Sequence, residues 1–236
     1  MSMRNMWFGC ALGLAGLQLA VAQEKAPQKP KSAESAPERS GGRGARRAEK
    51  PDKPEKTAYD YELPGTDGKG VPLASYKGKV ILVVNLARNS SYNDQLPALT
   101  KLSEKYRDKG LVVIGIPSND FGAAEPGTDA EIQKVYKTDA KVPFPVMARS
   151  LLTGDEAIPL YGYLTKGKGA PPGGNVHWNY TKFLIDKSGK VIARLEPDVA
   201  PDSPEMLSTL DQIFSGTYKG KPKEEQTEPP SGDAQI

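Results

Sequence analysis

Two adjacent serines, Ser90 and Ser91, stand where an apolar run gives way to a helical pattern, and the chain's single histidine, His177, precedes Trp178 and Asn179. Serine and histidine are raw material for nucleophilic catalysis, but a working triad also needs an orienting carboxylate and an oxyanion hole. The sequence marks neither. A hydroxyl at the head of a helix has a simpler use, accepting a backbone N–H as a cap worth about 1 kcal/mol. Asp94 and Asp120 are carboxylates that could approach one another in a cleft, and such a pair without further ligands is ordinarily solvated. With one histidine and one cysteine, Cys10, zinc centres built from several such residues are excluded; no metal or cofactor is expected.

Cys10 falls in residues 1–22, where Arg4 precedes an apolar run over 7–22 that ends in Ala20-Val21-Ala22. That small-x-small ending is the pattern signal peptidases cut after, and the run is short for a bilayer span, which takes about 20 residues. It reads as a cleaved secretory signal, with an uncleaved anchor as the alternative, so export to the periplasm, envelope or outside is expected. Cleavage after Ala22 would leave no sulfur nucleophile, no disulfide and no thiolate ligand.

Residues 23–57 contain no large apolar side chain, so nothing there offsets the entropy of ordering the backbone. They read as a disordered Lys/Pro/Ala/Arg-rich linker, a solvated spacer or a weak electrostatic contact with an anionic envelope surface. The formal net charge of +3 arises in this linker and at Arg4, while the remainder sums to slightly negative; nucleic acid is therefore not an expected partner. Residues 219–236 read as a second disordered segment.

Residues 58–218 remain for one folded domain. The unbroken apolar run over 79–85 predicts a strand covered on both faces, and the run over 111–116 predicts a second. Between them Leu96, Leu99, Leu102 and Tyr106 recur at helical spacing, predicting a helix over 92–108 with Pro97 in its first turn. Further expectations are a short helix over 130–136, a short strand over 144–147, a helix over 157–164, a hairpin of 183–185 with 191–193 around Gly189, and a closing helix over 203–214. Such an order makes an α/β domain with a central mixed sheet flanked by helices.

Several motifs then line up with a known family. Asp67-Gly68-Lys69, Tyr76-Lys77-Gly78-Lys79-Val80, Val84-Asn85-Leu86-Ala87, Ile116-Pro117-Ser118-Asn119-Asp120-Phe121-Gly122 with Glu125-Pro126-Gly127, Pro159-Leu160-Tyr161 and Trp178-Asn179-Tyr180-Thr181-Lys182-Phe183 together resemble the glutathione peroxidases. The resemblance implies a thioredoxin-like fold and a catalytic tetrad: a cysteine or selenocysteine at the head of a helix, a Gln, and a Trp-Asn pair. Helix-head N–H groups would favour the thiolate, which attacks peroxide oxygen and becomes a sulfenic acid.

Carried across, the nucleophile's position falls on Ser90 and the Gln on Ala124, whereas Trp178 and Asn179 match; Ser118 and Asp120 replace the Cys and Gln of the FPCNQFG signature. An unassisted serine hydroxyl is no substitute for a thiolate near neutral pH. The leading expectation is a redox-silent binding or scaffold module with an unknown protein or small-molecule partner. The alternatives are a peroxidase acting in oxidative stress by another route and a Ser90-dependent hydrolase. For the last, His177 and Trp178 as neighbours on an extended segment should face opposite ways. The short stretch between Ile132 and Val142 lacks a long insertion resembling an assembly loop, which favours a monomer.

Overall fold

The computed structural model describes residues 55–220. The N-terminal segment, the linker up to Pro54 and the tail from Lys221 lie outside the described residues. The chain enters through a short hairpin, β1 (Glu62–Pro64) with β2 (Gly70–Pro72), closed at Gly68 with φ of +77°. Every residue of β3 (Val80–Leu86) is buried, as its unbroken apolar run requires. The exit from β3 passes through a 3₁₀ turn, Asn93–Gln95, before α1 (Leu96–Tyr106), so the regular helix starts later than residue 92 while Pro97 still sits in its first turn. Then come β4 (Leu111–Pro117), α2 (Asp129–Gln133), α3 (Pro159–Lys166), the hairpin β5 (Lys182–Ile185) and β6 (Val191–Leu195), and α4 (Pro204–Ser215).

The sheet order is β4-β3-β5-β6, with β3 and β4 parallel and the other neighbours antiparallel. Alternate residues serve opposite faces. Val80, Leu82, Val84 and Leu86 pack in one core cluster with Leu99, Tyr106, Met206 and Leu210 of α1 and α4. Ile81 and Val83 pack in the other, with Leu160 and Leu164 of α3 and Leu63 of the entry hairpin. Ser203 starts α4 as expected, its Oγ accepting the Met206 N–H at 3.2 Å.

Two expectations need correction. Residues 144–147 form no strand but a single bridge, Val146 to Gly115; Pro143 and Pro145 flank Phe144 and have no N–H to extend a ladder. The short helix expected at 130–136 starts as α2 at Asp129, anchored by a Thr128/Glu131 capping box, and runs on through a π-helical turn, Lys134–Asp139.

Because β3 and β4 run parallel and β5 runs against them, the C-terminal ends of β3 and β4 and the start of β5 meet at one pole of the sheet. That pole carries the site.

Candidate functional site

Three segments are bonded together there: the exit from β3 (87–92), the exit from β4 (118–125) and the approach to β5 (176–181). Ser118 N–H donates to Leu86 O at 3.0 Å and Asn89 N–H to Ala124 O at 3.0 Å, joining the first two. Asn179 Nδ2 donates to Phe121 O at 3.0 Å and Asn85 Nδ2 to Trp178 O at 3.1 Å, tying in the third. These bonds bring the segments bearing Ser90, Ala124, Trp178 and Asn179 into one framework.

Ser90 lies half-buried at the turn before α1, and its Oγ accepts the Tyr92 N–H at 3.2 Å. It thus caps this turn rather than the regular helix, whose N-terminal residue Gln95 makes no side-chain cap; Ser91 is exposed. Among the described residues Ser90 Oγ has no other recorded hydrogen bond, so no base reaches it. His177 is exposed, and so is its neighbour Trp178, at 44%. The Trp178 ring lies over Gly122, where an added Cβ would meet Cη2 at 3.5 Å; it is the φ of +69° rather than space that calls for glycine.

Asn179 is fully buried. Phe121 O can only accept, which assigns the Nδ2 side of the amide to it and leaves Asn179 Oδ1 without a partner among the described residues. Asn85 Oδ1 is in the same position. The turn after Asn179 is strained, with Tyr180 at φ +65°. That conformation is held by Tyr180 N–H to Asn85 O at 2.8 Å and Tyr180 OH to Asn93 Oδ1 at 2.7 Å. Of the two Asn-x-Ser/Thr triplets in this region, Asn179 is buried and Asn89 is exposed.

Asp94 and Asp120 do not act as a carboxylate pair. Asp94 is exposed, and Asp120 Oδ2 accepts from Leu152 N–H at 2.6 Å, Thr153 N–H at 3.1 Å and Thr153 Oγ1 at 3.2 Å, pinning the following loop.

Sequence reasoning passed over a fully buried carboxylate at this pole. Glu125 is fully buried; its Oε2 accepts from Tyr136 OH at 2.6 Å and Arg88 N–H at 2.8 Å. Arg88 Nε lies 3.2 Å from Oε1, an ion-pair contact without hydrogen-bond geometry. Burial pushes the Glu125 carboxyl above its ordinary range, and the Tyr136, Arg88 and Arg149 groups oppose that shift. The Glu-Pro-Gly motif marked the residue; nothing local marked its partners.

Lys182 is a second such case, a lysine on β5 with no exposed surface. Its Nζ donates to Tyr180 O at 2.9 Å and Pro197 O at 3.5 Å, and Gln95 Nε2 shares Pro197 O at 2.6 Å. Burial lowers its pKa to about 8, against the pull of Asp198 and Glu196. The unfolded chain therefore binds the proton more tightly between about 8 and the ordinary lysine value. Stability should rise with pH through that window, by up to about 3 kcal/mol, and the cost is fully present below it. Urea unfolding from neutral pH to about pH 9, below the ordinary tyrosine value of about 10, should show the beginning of this slope, and Lys182→Met should abolish it.

Among the described residues no group of three or more His, Cys, Asp or Glu could hold a metal ion.

A mixed sheet flanked by helices, with the bonded site segments at the ends of its parallel strands, defines a thioredoxin-like α/β protein. The glutathione peroxidase family model matches residues 58–165. A relative from Mesembryanthemum crystallinum, named "Probable phospholipid hydroperoxide glutathione peroxidase", is 41% identical over 149 residues, which are 63% of this chain and 88% of that one. A protein of the same name from Solanum lycopersicum is 40% identical over 155 residues, covering 64% and 89%. Of solved structures, apo Trgpx aligns with a TM-score of 0.53 at 32% identity, covering 71% of this chain and 99% of that one. T. cruzi GPX1 aligns with a TM-score of 0.54 at 28% identity, covering 69% and 99%. The chain belongs to the glutathione peroxidase family.

Proposed function

We propose that this family member is exported, has lost thiol-peroxidase turnover, and retains the cleft as a binding or scaffold site. One observation carries the reading: in the turn that leads from β3 into α1, at the position matching the family's nucleophile, stands the hydroxyl of Ser90, held by the Tyr92 N–H and, among the described residues, touched by no base. Peroxide reduction requires an atom that accepts oxygen and is then reset by a reductant, as sulfur is through its sulfenic acid. A serine oxygen has no such cycle. Trp178 still offers an exposed indole face to a small ligand, while the buried Asn179 braces the segment that carries it through its bond to Phe121 O.

The test is hydroperoxide consumption by purified protein with glutathione or thioredoxin as reductant. Wild type should match Ser90→Ala at the uncatalysed rate; reductant-dependent turnover above that control would sink the proposal.

A second reading, peroxidase action by a route not using Ser90, is favoured by the relatives' names and by the retained framework around Trp178 and Asn179. It requires consumption that survives Ser90→Ala and fails on Trp178→Ala. For the hydrolase reading no base reaches Ser90 among the described residues, and a fluorophosphonate probe should leave Ser90 unlabelled.

A further inference from the structure

The pole opposite the cleft has a character of its own. Three turns meet there: the one entering β3, the one entering β4, and the β5–β6 turn. Their adjacency follows from the register, since Val80 pairs with Leu111, Ile81 with Ile185, and Ile185 with Val191. They present Lys77, Lys79, Arg107, Lys109, Lys187 and Lys190, all exposed. The acids of these turns are Asp108 and Asp186, and Asp186 Oδ1 is spent on its own turn, accepting from Ser188 N–H at 2.8 Å, Ser188 Oγ at 2.6 Å and Lys190 N–H at 3.0 Å. Asp211 of α4 pairs with Lys109 at 3.3 Å, and Asp60 of the entering turn lies close enough to Lys77 to feel its charge, so the six bases face four acids. The bases outnumber the acids at a pole of a molecule whose net charge outside the linker is slightly negative.

The chain also enters at this pole. Ala58 N–H donates to Gly189 O at 2.7 Å and Tyr59 OH to Lys187 O at 2.9 Å, so residue 57 lies against the β5–β6 turn. The residues leading to it carry further bases between Arg39 and Lys53, and beyond them the apolar run over 7–22.

We propose that this basic pole docks on an anionic lipid bilayer surface, with the cleft at Trp178 turned away towards solution. Bases on the tips of turns suit a flat negative surface, where lysines within a Debye length are attracted to anionic headgroups. Among the described residues no helix is long and apolar enough to cross a membrane, so contact by this domain would be peripheral.

The test uses the full chain with Cys10→Ser and one introduced cysteine carrying a fluorophore, Ser188→Cys at the basic pole or Ser91→Cys at the cleft. Vesicles of phosphatidylcholine, with or without phosphatidylglycerol, carry a headgroup quencher. Expected is quenching at residue 188 but not at residue 91, in the phosphatidylglycerol vesicles only, abolished by high salt. Lys187→Glu with Lys190→Glu should weaken that binding at least about tenfold, given roughly fivefold per base near an anionic surface. Equal quenching at both positions, or in both vesicle types, as insertion of the apolar run 7–22 alone would give, overturns the proposal. So does charge reversal without effect. Retention on heparin with no quenching at residue 188 would assign the pole to a soluble polyanion instead, and likewise overturns it.

Discussion

Ser90→Cys combined with Ala124→Gln should turn this chain into a measurable thiol peroxidase, with hydroperoxide consumption at least about a hundredfold above wild type, the scale on which positioned donors act in an active site. The Tyr92 N–H that now reaches Ser90 Oγ at 3.2 Å would fall to the new sulfur, and a backbone N–H donated to sulfur favours thiolate over thiol. Asn89 N–H already bonds Ala124 O, so a glutamine at position 124 starts from a backbone fastened beside the nucleophile's turn. Trp178 and Asn179 need no change. The single variants separate the contributions: Ser90→Cys alone should show a reactive thiol with a lowered pKa by iodoacetamide kinetics against pH, with slower turnover than the pair. Ala124→Gln alone should remain at the uncatalysed rate. An introduced thiol that titrates like free cysteine would mean that the Tyr92 N–H does not act on this position.

The second large effect concerns stability. Glu125→Ala should lower the unfolding free energy by about 3 kcal/mol, since removing one member of a buried ion pair strands the other. For a domain of this size that is roughly a 9 °C drop in melting temperature. The stranded groups are the Arg88 main-chain N–H and guanidinium and the Tyr136 hydroxyl. Glu125→Gln keeps an acceptor for those hydrogens and should cost less than half as much.

Both variants should also differ from wild type in pH dependence, since neither carries the titrating carboxyl. Burial raises the Glu125 carboxyl above its ordinary value, so the folded chain holds that proton more tightly than the unfolded one. The contribution is fully present below the ordinary glutamate pKa and is lost as pH rises through the folded value. Wild type should show this falling component in urea midpoints measured upward from mildly acidic pH, and Glu125→Gln should not. Equal stability of Glu125→Ala and wild type would mean that the Arg88–Tyr136 contacts contribute nothing.

The main elements were legible because their signals are local. The run at 80–86 contains nothing polar except Asn85, and only a strand covered on both faces accommodates it. Leu96, Leu99, Leu102 and Tyr106 repeat at the helical period, and they are the buried residues of α1 together with Ser103. Local reading failed where alternate prolines silence strand hydrogen bonds, at Pro143 and Pro145. It also failed to extend α2, because a π-helical turn has no distinctive short-range pattern. At the site, the positions of Ser90, Ala124, Trp178 and Asn179 followed from motif order, whereas the bonds uniting them did not.

The sequence alone determined which chemistry the cleft can draw on. Side-chain type is a property of each position whatever the fold, so serine at residue 90 and cysteine only at residue 10 bound the redox possibilities before any coordinate is known. Only the tertiary structure decided which polar groups are buried and with what. Glu125 is matched to Arg88 across 37 residues and Gln95 to Pro197 across 102, and Lys182 lost its water to β3 and β6 packed on either side. Such matches depend on which strands become neighbours and which ends share a pole, and no short window of residues encodes that.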